Sequence, residues 1–146
     1  MKVTGQCHCG AVSFTALIDP ARVIACHCAD CQVFSGAPYR AVLPTPSENV
    51  DITGEYSTYV KTAASGTRRA QTFCSTCGTQ LYAADANDAP EVLNLRVGCI
   101  NERVQLSPKV QIWGHSAMPW LGDIDAVPMH EEGLASPVMA PPGDAP

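Results

Sequence analysis

Short stretches in which apolar and polar residues alternate follow one another along most of the chain. The clearest covers residues 91–97, where Leu93, Leu95 and Val97 share one face of an extended segment. Alternation over about four to eight residues is typical of a β-strand with one buried side. This criterion, together with apolar runs rich in β-branched residues, predicts about eight short strands, at residues 11–17, 23–25, 39–43, 56–60, 69–73, 79–83, 91–97 and 109–113.

Turn-forming residues separate these stretches, and helical periodicity is almost absent. Residues 5–10 are interpreted as a tight turn, and residues 47–55 as a loop that ends in a turn. Asp30 is expected to cap a brief helical turn over residues 31–34, which would place Cys31 in its first turn. The predicted fold class is therefore mainly β: a small β-sheet domain with little helix.

The strand pattern ends near Met129. One domain over residues 1–129 is long enough to bury an apolar core. Residues 130–146 are rich in proline, low in aromatic residues and without periodicity. They are predicted to form a flexible C-terminal tail.

Charge and hydropathy narrow the range of partners and compartments. Nine Lys and Arg residues against fourteen Asp and Glu residues give a formal net charge of −5, which argues against nucleic acid or an anionic membrane as the main partner. No apolar run approaches the roughly 18 residues of a spanning helix, and the first residues lack the apolar core of a signal peptide. A cytoplasmic, reducing compartment is predicted.

The eight cysteines carry the strongest chemical signal in the chain. They could form four disulfides, but disulfide-dense domains are usually secreted and shorter than about 80 residues. Seven of them instead lie at the spacings of metal ligands, which favours metal over disulfides. These are Cys7-x-Cys9, Cys26-x-Cys28-x-x-Cys31 and Cys74-x-x-Cys77, while Cys99 stands alone.

Seven thiols divide most simply into a group of four and a group of three. The first group would form a closed, structural zinc site; it comprises Cys7, Cys9, Cys74 and Cys77. Cys26, Cys28 and Cys31 are close enough in sequence to hold a second zinc with one coordination position open to substrate. The alternative is a structural site closed by a fourth protein ligand, from His27, His115, His130 or Cys99.

Other candidate residues are expected to have ordinary roles. Cys99 is interpreted as a small buried apolar residue, and His8 and His27 as surface imidazoles pointing away from the metal. Most basic side chains are expected to be solvated, with one or two facing the site to hold an anionic substrate; these are Arg40, Lys61, Arg68, Arg69, Arg96 and Arg103.

The segments at residues 5–12, 26–37 and 73–78 resemble the glutathione-dependent formaldehyde-activating enzyme family, which includes the centromere protein V group. The resemblance extends from about residue 3 to residue 129. It implies a mainly β, tent-like zinc-binding fold with two Zn²⁺ per chain, one structural and one looser, on the two cysteine groups described above. It also implies carbon–sulfur bond formation and cleavage, in which glutathione and formaldehyde give S-hydroxymethylglutathione.

The predicted function is therefore a zinc-dependent carbon–sulfur lyase acting on a small thiol or thiol adduct. An open zinc position can take a substrate thiol and lower its pKa, whereas three thiolate ligands weaken the ion as a Lewis acid for water. His27 is the candidate catalytic residue for proton transfer. A related zinc enzyme with another substrate, such as a hydrolase or detoxification lyase, and a non-enzymatic zinc module are the alternatives.

Overall fold

The computed structural model describes residues 1–63 and 65–139, which form ten strands in two sheets and one seven-residue α-helix. The chain is thus mainly β with little helix, as predicted. The strands are β1 Lys2–Gln6, β2 Ser13–Leu17, β3 Ile24–Cys26, β4 Arg40–Pro46, β5 Val50–Thr53, β6 Tyr56–Thr62, β7 Arg68–Cys74, β8 Gln80–Asp85, β9 Val92–Arg96 and β10 Val110–Ile112. The helix is α1, Ala29–Ser35, and six 3-10 segments lie at Pro20–Arg22, Ser47–Asn49, Val97–Cys99, Arg103–Gln105, Gly114–Ser116 and Pro119–Ala126.

The two sheets differ in size and share one core. The smaller sheet has the order β1-β2-β5 and the larger one the order β10-β3-β4-β9-β8-β7-β6. All neighbouring strands are antiparallel except β10 and β3, which run parallel. Side chains from both sheets meet in the apolar core, whose fully buried members include Val3, Leu43, Leu81 and Leu95.

Two strands were not predicted, and both belong to the smaller sheet. The buried positions of β1 are Val3 and Gly5. Because one of these two is a glycine, a residue typical of turns, the apolar alternation that predicts a strand is missing here. A side chain at Gly5 would overlap the ring of Phe14 on β2, which explains the glycine. The tight turn expected from residue 5 begins only after Gln6. Strand β5, expected to be a loop, pairs with β2 along its length.

Helix α1 is longer than predicted and is capped by a different residue. Asp30 lies within the first turn, and the N-cap is Cys28, whose Sγ accepts a hydrogen bond from the Cys31 backbone N–H at 3.4 Å. The expected cap was wrong because the helix begins two residues earlier, at Ala29. Gly36, with a φ of 62°, ends the helix in the left-handed region that favours glycine.

Residues 130–139 form a short hairpin in which His130 and Val138 make an isolated β-bridge. The predicted flexible tail includes residues 140–146, which lie outside the described residues, as does Ala64. The domain boundary at residue 129 stays a prediction. Among the described residues, every helix is too short or too polar to cross a membrane.

Candidate metal centres

The structure brings the seven clustered cysteines together in the two groups that the spacing predicts. Within each group every Sγ atom lies within 4.8 Å of the others. All eight cysteines lie among the described residues and are free thiols, so the arrangement is not that of a disulfide framework. A tetrahedral zinc with Zn–S bonds of about 2.3 Å requires S···S separations of about 3.8 Å. Both groups therefore have the donor set and the size of a zinc site.

The four-cysteine group joins two turns that are far apart in sequence. Cys7 and Cys9 lie in the turn between β1 and β2, whereas Cys74 ends β7 and Cys77 precedes β8. The Sγ···Sγ distance is 3.5 Å between Cys7 and Cys9 and 3.8 Å between Cys9 and Cys74. Cys7 and Cys74 are buried and Cys9 and Cys77 are exposed, so the group lies at the rim where the small sheet meets the large one.

Hydrogen bonds lower the pKa of one thiol in this group, whereas the pKa of another is raised. The Thr79 hydroxyl and backbone N–H lower the pKa of the nearby Cys77 thiol to about 5. For Cys9 the Ala11 backbone lowers the pKa, but the neighbouring Cys7 and Cys77 outweigh it and raise the pKa to about 12. Four thiolates this close repel one another, so a bound cation is what lets all of them be deprotonated together.

The three-cysteine group is built from one short segment. Cys26 ends β3, Cys28 caps α1 and Cys31 lies in the first helical turn. The Cys26 and Cys28 Sγ atoms are 3.5 Å apart. Within the part of the chain that the structure describes, no further His, Cys, Asp or Glu offers a ligand atom to this group. The alternative of a site closed by His27, His115, His130 or Cys99 is therefore not supported.

The three thiols have unequal tendencies to ionise. Burial is the main cause that raises the pKa values of Cys26 and Cys31; both neighbouring thiols raise the pKa of Cys31 further, whereas only Cys28 does so at Cys26. Burial also acts on Cys28, but hydrogen bonds from the Cys31 backbone and the neighbouring thiols, with the positive charge of Arg40, bring its pKa below the ordinary value. Cys28 is the thiol in this group that the protein itself holds closest to the thiolate form.

A cavity of about 360 Å³ opens beside the three-cysteine group. It lies between α1 and the face of the large sheet that points away from the core. Strand register places its walls, because residues directly opposite each other in an antiparallel pair share a face. Cys26 pairs with Arg40 across β3 and β4, and Val42 pairs with Arg96 across β4 and β9. All four line the cavity.

Two buried arginines line this cavity, in agreement with the expectation that one or two basic side chains face the site. Arg40 is 5% exposed and Arg96 is 6% exposed. Arg40 Nη1 and Arg96 Nη2 both donate to the Gln71 side-chain oxygen, at 3.2 and 2.9 Å. Burial, reinforced by the adjacent Arg40, lowers the pKa of Arg96 to about 9. The sequence did not show which of the basic residues these would be, because strand alternation does not reveal what covers each face of a sheet.

His27 is also placed differently from the expectation. Its side chain is 1% exposed, so it is not a surface imidazole, whereas His8 is exposed. The His27 Nε2 atom is 2.8 Å from the Gln111 side-chain oxygen, and its Nδ1 atom has no hydrogen-bond partner. His27 does not line the cavity. Its predicted catalytic role stays a prediction.

Cys99 is buried, in agreement with the sequence interpretation. Its Sγ donates a hydrogen bond to the Gln80 carbonyl oxygen at 2.8 Å, and burial raises its pKa to about 11. It belongs to neither cysteine group.

Comparison with known proteins identifies the family to which the chain belongs. A family model described as "Glutathione-dependent formaldehyde-activating enzyme" matches residues 2–116. The chain belongs to this family. The match includes both cysteine groups, α1 and every residue that lines the cavity beside the three-cysteine group. The described segment after residue 116 lies outside it.

Two similar proteins show how far the likeness extends. A protein of Schizosaccharomyces pombe named as an uncharacterized lyase is 33% identical over 87 residues, which make up 57% of this chain and 58% of that protein. The alignment thus spans less than two thirds of the relative. A crystal structure of a Rhodobacter sphaeroides protein aligns with a TM-score of 0.55 at 19% identity, covering 74% of this chain and 98% of that one. This second likeness concerns the fold alone.

Proposed function

We propose that this member of the family is a lyase that forms and breaks a carbon–sulfur bond in a small thiol adduct. In the synthetic direction the substrate sulfur bonds to the carbonyl carbon of an aldehyde, and the thiol proton moves to the carbonyl oxygen. With glutathione and formaldehyde, the pair in the family's description, the product is S-hydroxymethylglutathione. The observation that carries the proposal is a three-thiol group without a fourth protein ligand, among the described residues, beside a cavity.

The donor set of Cys26, Cys28 and Cys31 fits zinc, and these residues would hold it. Bound there, Zn²⁺ would offer a fourth coordination position that stabilises a substrate thiol as its thiolate at neutral pH. The second proposed Zn²⁺, on Cys7, Cys9, Cys74 and Cys77, would have a structural role. Localisation in the cytoplasm and the absence of nucleic-acid or membrane partners stay predictions.

The residues around the cavity then have separable roles. Arg40, directly across from Cys26, supplies positive charge beside the sulfur and beside any oxygen that becomes negative during the reaction. Helix α1 covers the cavity and limits the access of water. His27 lies between Cys26 and Cys28 but does not line the cavity; it is proposed to carry the proton through its Nδ1 atom, which has no hydrogen-bond partner.

A direct test combines metal counting with a kinetic assay. Native mass spectrometry in reducing buffer is expected to find two zinc ions per chain in the wild type and one in Cys28→Ser. Exchange between ¹³C-formaldehyde plus glutathione and their adduct, followed by NMR, is expected to be faster with the wild type than without protein. Cys28→Ser should lose this acceleration.

Cys99→Ser is the matched control, because Cys99 lies outside both groups and serine can still donate to the Gln80 carbonyl. It is expected to keep two zinc ions and full activity. A single tight zinc that glutathione does not affect, or exchange no faster than the uncatalysed rate, would contradict the proposal.

A further inference from the structure

The cavity beside the three-cysteine group contains two buried positive charges, and the proposed reaction gives a role to only one of them, Arg40. Arg40 and Arg96 are both more than nine-tenths buried. They lie on neighbouring strands of one sheet face, with Arg40 adjacent to Cys26. Both line the cavity next to the thiols. The question is what these two guanidinium groups bind.

The hydrogen-bond partners of this pair are incomplete. Their shared acceptor is the Gln71 side-chain oxygen, which carries no formal charge. Arg40 Nη2 and Arg96 Nε are buried and have no hydrogen-bond partner. A buried donor without an acceptor is destabilising, and a buried charge without a counter-charge more so. An anionic acceptor would satisfy both the missing hydrogen bonds and the missing counter-charge.

The other cations that line the cavity are already paired. Lys61 forms an ion pair with Asp30 at the start of α1, and Arg69 forms one with Asp85. No described carboxylate contacts Arg40 or Arg96 in this way. Negative charge on the three cysteine thiolates would act on the nearby Arg40 guanidinium. The thiols do not, however, accept hydrogen bonds from Arg40 Nη2 or Arg96 Nε, which have no partner.

We infer that Arg40 and Arg96 form a subsite for a substrate carboxylate, so that the preferred substrate is a small thiol acid rather than a neutral thiol. This inference rests on the proposed function for the position of the sulfur. A carboxylate offers two coplanar oxygens, which match the forked donors of guanidinium groups. A cavity of about 360 Å³ lies near the lower end of the usual range for ligand pockets, which favours a short molecule.

The test compares two probes that differ in one group. Isothermal titration of the zinc-loaded protein with 3-mercaptopropionate and with its neutral amide separates carboxylate recognition from thiol binding. The wild type is expected to bind the acid about tenfold or more tightly than the amide. Arg96→Gln should lose this preference while binding the amide as before, and Arg40→Gln should also lose the preference for the acid. Equal affinities for the two probes in the wild type would overturn the inference.

Arg68→Gln is the matched control, because Arg68 is an exposed arginine on β7 that does not line the cavity. It is expected to keep the preference for the acid; loss of the preference in this variant would show a non-specific charge effect and overturn the inference. Circular dichroism and zinc content check that each variant is folded. If Arg40→Gln does not fold, Arg40→Lys keeps the charge but not the fork. It should weaken acid binding at least threefold, and wild-type affinity would count against the subsite.

Propionate, which has no thiol, separates this inference from the proposed function. Binding of propionate to the wild type that is lost in Arg96→Gln supports the subsite even if neither thiol probe binds. In that case the proposed thiol chemistry fails and the carboxylate subsite stands. If propionate raises the unfolding temperature of the wild type and of Arg96→Gln equally, the subsite is wrong.

Discussion

Cys28 combines two roles in one side chain. Its Sγ belongs to the three-cysteine group and also accepts the hydrogen bond that caps α1. Cysteine is not among the usual N-cap residues, so its presence there follows from ligand chemistry rather than helix preference. The orientation of the helix and the position of the thiol are therefore coupled at this residue.

Substitution can separate the two roles of Cys28. Serine retains an oxygen that can cap the helix, whereas alanine retains neither function. Cys28→Ser and Cys28→Ala are both expected to lose the second zinc. Cys28→Ala should also be less stable than Cys28→Ser by about 1 kcal/mol, measured by urea unfolding of the metal-free proteins. Equal stabilities would show that the cap contributes nothing.

The small sheet depends on a close approach between its last turn and the turn that holds Cys9. Gly54, between β5 and β6, has a φ of 108° and lies directly against the backbone of Ala11. A Cβ at this position would overlap the Ala11 carbonyl oxygen and come within 3.0 Å of the Val12 Cα. The contact involves backbone on both sides, so neither partner can move aside by changing a rotamer.

Gly54→Ala is therefore expected to lower the free energy of unfolding by more than about 2 kcal/mol. Gly66→Ala is the control, since Gly66 also has a positive φ, of 84°, but a Cβ there would meet no atom within 4 Å. It should cost about 1 kcal/mol, from the left-handed conformation alone. Denaturant unfolding measures both. A Gly54→Ala protein no less stable than Gly66→Ala would argue against the contact.

At the scale of the whole molecule, the large sheet has two differently used faces. One packs with the small sheet in the apolar core, and the other forms the cavity beneath α1. The four-cysteine group lies where the two sheets meet, and the three-cysteine group lies at the cavity. Metal at the first would hold the layers together, whereas metal at the second would affect chiefly the cavity.

Loss of a ligand should therefore have unequal consequences at the two groups. Cys77→Ser is expected to destabilise the domain by about 4 kcal/mol or more, because it removes a ligand of the proposed zinc that would cross-link the sheets. Cys28→Ser should leave a folded domain without activity. Thermal unfolding with and without a chelator measures the difference. Equal unfolding by both substitutions would indicate that both groups are structural.

The sequence by itself determined the mainly β class and the sorting of seven thiols into two groups. Both conclusions rest on local patterns. Alternation of apolar and polar residues indicates strands, and cysteines a few residues apart can bind the same metal ion. It did not show Arg40 and Arg96 as buried, because alternation assigns a residue to a face but not what covers that face. Only the tertiary structure decided that both arginines are buried in the cavity beside α1 and that Gln71, 31 residues after Arg40, is their shared acceptor. Pairing between distant strands sets such contacts, and no short stretch of sequence encodes them.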